Sequence, residues 1–144
     1  MSNRNVIVLE DHPLVRQAMV DQVSGHDCEV VYAGASAKTA IETTSSTKVD
    51  CIVMDLDLGA GHPEIASVAE VSATGVPVII MTAFATPATV SAAFTAGARG
   101  FVSKEAEVEE FLEAIDAAVA GEQFISSTLR NSGLLRSDRP QLSE

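Results

Sequence analysis

The chain has 144 residues, 47% hydrophobic and 20% charged, a balance that suits one compact domain and argues against disorder. Nine Lys and Arg against twenty Asp and Glu leave a formal charge of −11, while the tail beyond Phe124 is slightly basic, with Arg130, Arg136 and Arg139 against Asp138 and Glu144. The body before that tail is therefore strongly acidic, which sets it against phosphate backbones and anionic membrane surfaces as direct partners.

Val6 to Leu9 opens the chain as a continuous apolar run, the pattern of a parallel strand covered on both faces. Pro13 then starts a helix whose apolar residues are Val15, Ala18, Met19 and Val23. A weaker strand covers Cys28 to Ala33, and a polar helix is expected over Ser36 to Ser46. Cys51 to Met54 is the next strand, and Ile65, Val68 and Ala69 mark a helix after Pro63. Val76 to Met81 is the fourth strand, followed by Thr86 and Pro87 as cap and first residue of an Ala-rich helix that stops at Gly97. Gly100 to Val102 forms a short fifth strand. The last helix carries Val108, Phe111, Leu112, Ile115 and Val119, has Glu105, Glu107, Glu109 and Glu110 around its start, and ends at Gly121.

Strand and helix thus alternate five times, which predicts a doubly wound α/β fold with a parallel sheet and helices on both faces. Beyond Gly121 the pattern weakens, and Phe124 to Glu144 reads as a linker with a short helix near Thr128 to Leu134. No stretch approaches the roughly 20 apolar residues of a membrane span, and Met1 to Asn5 leads into no secretory core. The expectation is a soluble cytoplasmic protein with no membrane partner. Cys28 and Cys51 read as reduced, buried small hydrophobes. Their strands are expected to flank the first strand on opposite sides, so they should not bridge.

In an open parallel sheet, ligands bind beyond the carboxyl ends of the strands. Glu10 and Asp11 follow the first strand, Asp55 and Asp57 the third, Thr82 the fourth and Lys104 the fifth. The second strand runs into Ala33 and Gly34, as befits an edge. Singly, each residue reads as a turn or cap; jointly, Glu10, Asp11, Asp55, Thr82 and Lys104 place three carboxylates, a hydroxyl and an ammonium on one rim. Glu10, Asp11 and Asp55 held together would repel one another, and a hard divalent cation such as Mg²⁺ relieves this. With Lys104 added, the pocket is neutral and suits an incoming phosphoryl group, and Asp55 is a competent nucleophile toward it.

These residues resemble the receiver domain of two-component response regulators over about residues 4–122. The motifs are Val8-Leu9-Glu10-Asp11-His12, Val53-Met54-Asp55-Leu56, Pro77-Val78-Ile79-Ile80-Met81-Thr82-Ala83, and Gly97-Ala98-Arg99-Gly100-Phe101-Val102-Ser103-Lys104. The resemblance implies a flavodoxin-like, five-stranded sheet of order 2-1-3-4-5. It implies that Asp55 takes a phosphoryl group from a sensor histidine kinase. Mg²⁺ would be bound by Glu10, Asp11, Asp55 and the backbone carbonyl of Asp57. Thr82 and Lys104 would grip the phosphoryl oxygens, and Phe101 would be the switch aromatic. No enzymatic turnover is implied beyond self-phosphorylation from small donors and slow self-dephosphorylation.

Within that family, the Gly97-Ala98-Arg99-Gly100-Phe101 run and the overall style most resemble receivers that precede a LuxR-type (NarL/FixJ-like) helix-turn-helix. Residues 123–144 would then be a linker toward an output domain absent from this chain, and DNA would be reached only through that domain. Homodimerisation on phosphorylation is a further implication. Two departures stand out: Gly59 occupies a position where the family usually has proline, and Glu105 follows Lys104 where many members have proline. His62 reads as a surface residue at a helix start. Three other readings share these residues. One is a stand-alone receiver serving as phosphate carrier or docking switch, and another is a receiver-like module that is never phosphorylated. The third is a haloacid-dehalogenase-like phosphatase, whose paired aspartates Asp55-Leu56-Asp57 mimic. In that class the pair normally opens the first strand and further acidic ligands follow; here an acidic pair precedes it and no strand-end acid follows Asp57.

Overall fold

The structure is a computed structural model that describes residues 4–56, 65–83 and 86–126. Strands β1 (Arg4–Leu9), β2 (Cys28–Gly34), β3 (Cys51–Asp55), β4 (Val78–Thr82), β5 (Gly100–Ser103) and β6 (Phe124–Ile125) form one sheet in the order β2-β1-β3-β4-β5-β6. Every pairing is parallel. The connecting helices are α1 (Pro13–Ser24), α2 (Ala37–Ser46), α3 (Ile65–Ser72), α4 (Pro87–Thr95) and α5 (Val108–Val119).

Unbroken apolar strands suit this sheet because both of its faces are covered. Alternate residues go to opposite sides. Ile7, Leu9, Ile52, Met54 and Ile80 pack with Ala40 of α2, Val68 and Val71 of α3, and Val90 and Ala93 of α4. Val6, Val8, Cys51, Val53, Ile79 and Met81 pack with Met19 and Val23 of α1 and with Phe111, Ala114, Ile115 and Ala118 of α5. The doubly wound α/β fold is as the sequence predicts, with α1 and α5 on one face and α2, α3 and α4 on the other.

Local chemistry accounts for the helix ends. The Thr86 hydroxyl accepts from the Thr89 backbone N–H while the Thr89 hydroxyl accepts from the Thr86 N–H, a reciprocal cap ahead of Pro87. The Ser36 hydroxyl caps α2 through the Thr39 N–H. Gly97, with φ +117°, ends the α4 turn, and a Cβ there would lie 2.7 Å from the Ser72 Cβ, so glycine is required on both counts.

Some expectations shift. Val108 is 40% exposed, and Ala114 and Ala118 complete the buried face of α5 in its place. Likewise Ala18 and Ala69 face outward, and Val71 joins Val68 under α3. Among the described residues the sheet has six strands rather than five, because Phe124–Ile125, in a segment read as linker, pairs with β5. Otherwise β5 would present an open row of backbone donors and acceptors. The Phe124 N–H donates to the Arg99 carbonyl at 3.0 Å and the Ser126 N–H to the Phe101 carbonyl at 2.9 Å. Ser126 is fully buried, and its hydroxyl donates to Glu110 of α5 at 3.2 Å. The helix expected near Thr128 to Leu134 lies outside the described residues.

Cys28 and Cys51 are both buried and unpaired, on strands that flank β1 from opposite sides. Among the described residues, no helix is long and apolar enough to cross a membrane.

Candidate functional site: an acidic pocket at the carboxyl edge of the sheet

Parallel strands end on one rim, so residues distant in sequence meet there. Glu10 directly follows β1, Asp55 and Thr82 close β3 and β4, and Lys104 directly follows β5. Glu10, Asp55 and Thr82 are buried, at 1%, 4% and 8% exposure, while Asp11 lies open to solvent. The carboxylates of Glu10, Asp11 and Asp55 each offer an oxygen, and these oxygens all lie within 4.8 Å of one another. Lys104 reaches into the same pocket, its Nζ 2.9 Å from Glu10 Oε1 and 3.4 Å from Asp55 Oδ1.

Register places the remaining group. Asp55 lies opposite Met81 and Thr82 opposite Ser103, so Thr82 sits one residue beyond the Asp55 pairing on the neighbouring strand. The Lys104 N–H donates to the Thr82 carbonyl at 2.9 Å, which continues the β4–β5 ladder into the loop that carries the ammonium. Among the described residues no peptide bond is cis, so the bond from Lys104 to Glu105 is trans. Ser103 shapes the turn instead, its hydroxyl accepting from the Glu105 N–H at 3.0 Å and its carbonyl from the Ala106 N–H at 3.0 Å.

Burial alone would lower the Lys104 pKa, but the hydrogen bond to Glu10 and the charge of Asp55 outweigh it and hold the pKa above the ordinary lysine value. The ammonium is therefore charged throughout the neutral range. Phe101 is fully buried on the sheet face covered by α2, α3 and α4, its ring 6.3 Å from that of Phe94 of α4. Asp57, Gly59 and His62 lie outside the described residues.

Two contributors escape a strand-end reading of the sequence. The Arg16 guanidinium donates to the Glu10 carbonyl at 2.8 Å, and the His12 N–H donates to Glu10 Oε2 at 3.2 Å. Arg16 leaves one trace in the sequence: a cation in the first turn of a helix, where the helix dipole disfavours it.

Fold and pocket together define a class: a doubly wound α/β domain with a cation-bridged carboxylate cluster at the carboxyl edge of its sheet. The chain matches the response regulator receiver domain over residues 6–116 and belongs to that family. Among relatives, the transcriptional regulatory protein DesR of Bacillus subtilis is 26% identical, covering 87% of this chain and 63% of DesR. The nitrate/nitrite response regulator protein NarL of Escherichia coli is 28% identical, covering 90% of this chain and 62% of NarL. Among solved structures, a LuxR-family two-component response regulator from Aurantimonas superposes with a TM-score of 0.84 at 28% identity, covering 96% of this chain and 99% of that one. The isolated receiver domain of RcsB from Salmonella enterica, in the presence of phosphomimetic BeF₃⁻, has a TM-score of 0.78 and 22% identity over 93% of this chain and 99% of that one, a likeness of fold. This chain spans somewhat under two thirds of the length of the curated relatives it matches.

Proposed function

We propose that Asp55 is the phosphoacceptor of a two-component signalling relay, charged by a sensor histidine kinase. The observation that carries this reading is the buried Asp55 carboxylate held beside both the Lys104 ammonium and the Glu10–Asp11 pair. An Asp55 oxygen attacks the phosphorus of a phosphohistidine, and the P–N bond breaks. Its electron pair returns to the imidazole, which takes a proton from solvent. The product is an acyl phosphate, and Lys104 offsets its charge while the Thr82 hydroxyl donates to a phosphoryl oxygen.

The donor set fits Mg²⁺, because carboxylate oxygens gathered this closely are the ligands a hard divalent cation takes. Glu10, Asp11 and Asp55 would hold it, with the Asp57 carbonyl as a further ligand. Bound there, it would supply charge neutralisation for phosphoryl transfer.

Esterification replaces the single charge of the Asp55 carboxylate with a phosphoryl dianion, a net gain of about one negative charge in a pocket where Lys104 faces three carboxylates. Thr82 moving toward those charges vacates space beside β4 and β5. Phe101, packed on Phe94, is the side chain that reads the change. The switch is then a two-state equilibrium biased by new charge-assisted bonds. In the whole protein, the output is transcriptional, through a DNA-binding domain beyond this chain. Phosphorylation favours a homodimer there, and the protein works in the cytoplasm. The names of the matched relatives and the LuxR-family neighbour support that output.

The test is incubation with acetyl phosphate, with and without Mg²⁺, read by intact-protein mass spectrometry. One phosphoryl group per chain is expected, dependent on Mg²⁺ and absent in Asp55→Ala. Label that persists in Asp55→Ala refutes the assignment. Steady release of phosphate from simple esters would instead mark a phosphatase.

A further inference from the structure

Glu10 stands where the chain leaves the sheet. Its N–H still donates to the Gly34 carbonyl of β2 at 2.8 Å, but the last β1–β3 pair is Leu9 with Met54. The Glu10 carbonyl therefore lies beyond the ladder, in a residue only 1% exposed. A buried carbonyl without a donor is costly, and here the donor is Arg16 Nη1 at 2.8 Å.

That carbonyl belongs to the peptide unit joining the Cα atoms of Glu10 and Asp11. Because the unit is planar and rigid, a bond to its oxygen fixes the orientation from which both carboxylate side chains depart. The His12 N–H, bonded to Glu10 Oε2 at 3.2 Å, holds one of those side chains from the other end.

Helix energetics give no independent reason for an arginine here. Arg16 is the fourth residue of α1, and its own N–H makes the helix's opening bond, to the His12 carbonyl at 2.9 Å. A cation in this turn opposes the helix dipole, and the turn contains no acid to balance it. The bond to the Glu10 carbonyl offsets that cost, and the side chain is half-buried in making it.

We infer that Arg16 is a positioning residue for the acidic pocket: by clamping the Glu10–Asp11 peptide it holds two carboxylates in register to share one divalent cation with Asp55. This rests on the reading of the pocket as a Mg²⁺ site. Partners one shell removed from a metal typically change its affinity by about tenfold or more.

Isothermal titration of Mg²⁺ into the unphosphorylated chain tests the inference, alongside thermal unfolding and acetyl phosphate labelling at graded Mg²⁺. Arg16→Ala is expected to raise the Mg²⁺ dissociation constant about tenfold. The labelling rate at saturating Mg²⁺ should stay near that of the parent. Arg16→Lys, which keeps a charged donor, should recover most of the affinity. Unchanged Mg²⁺ affinity in Arg16→Ala overturns the inference. So does an equal loss of affinity and thermal stability in both variants, which would make Arg16 a helix-stabilising residue only. Failure of the pocket reading looks different: the unsubstituted chain itself would bind no Mg²⁺, and the inference would fall with it.

Discussion

Lys104 shows how one side chain can set the state of a pocket. Its ammonium lies between two buried carboxylates, and its pKa is raised because Glu10 and Asp55 outweigh the burial that would lower it. Removing it leaves Glu10 and Asp55 buried beside each other without their cation. Lys104→Ala is thus expected to destabilise the fold by about 1–3 kcal/mol in urea titrations, with the partial exposure of Lys104 keeping the loss below that of a fully buried pair. In the phosphorylated protein the same variant should carry label on Asp55 yet lose the conformational response, readable as unchanged Phe101 ring resonances on labelling. Cys51 sits at the other extreme. It is fully buried and its thiol is pushed far up by desolvation, so it should resist aromatic disulfide reagents until the chain unfolds.

Among the elements, α4 and β6 were legible to different degrees. The Thr86-Pro87 pair and Gly97 marked both ends of α4 in the sequence, because capping and left-handed backbone depend on local chemistry. The reciprocal partner Thr89 is confirmed only by the geometry. Thr86→Ala should cost about 1 kcal/mol, seen as a lower urea midpoint with unchanged slope. By contrast, β6 left no readable pattern. Two residues are too short for periodicity, and Phe124–Ile125 becomes a strand only because β5 offers an open edge and Phe101 an unused carbonyl. In α5 the apolar stripe was plain, yet Val108 at its head is exposed while Ala114 and Ala118 are buried. Small residues are favoured where a helix lies close to the sheet, and hydrophobicity alone does not reveal that distance.

Across the whole molecule, the acidic pocket has a counterpart at the opposite end of the sheet. Asp116 of α5 pairs with Arg4 of β1 and lies 3.1 Å from His26, just beyond α1, so three elements are tied at one point. Burial alone would raise the Asp116 pKa, but the hydrogen bonds from Arg4 and then His26 hold it below the ordinary carboxylate value. A depressed carboxylate contributes its full stability above the unfolded pKa and loses it as pH falls through the folded value. Thermal unfolding should therefore show a midpoint that drops on acidification below about pH 4. Asp116→Asn should lower the neutral-pH midpoint slightly and flatten that acid limb. An acid limb of the same steepness in the variant would show that other carboxylates control it.

The sequence by itself determined the alternation of strands and helices, most helix ends and the strand-end positions of Glu10, Asp11, Asp55, Thr82 and Lys104. Those features depend on residue type, spacing and the common direction of parallel strands, all of which are written along the chain. Only the tertiary structure decided which side chains bear on one another. It brought Arg16 to the Glu10 carbonyl, Ser103 to the turn that presents Lys104, Asp116 to Arg4 and the tail to the edge of β5. Each of these contacts satisfies a polar group that the fold creates, such as a carbonyl beyond the last ladder pair or an unpaired sheet edge. Such groups have no partner to find until the strands are in place, so, apart from the ill-placed cation of Arg16, no pattern in the sequence announces them.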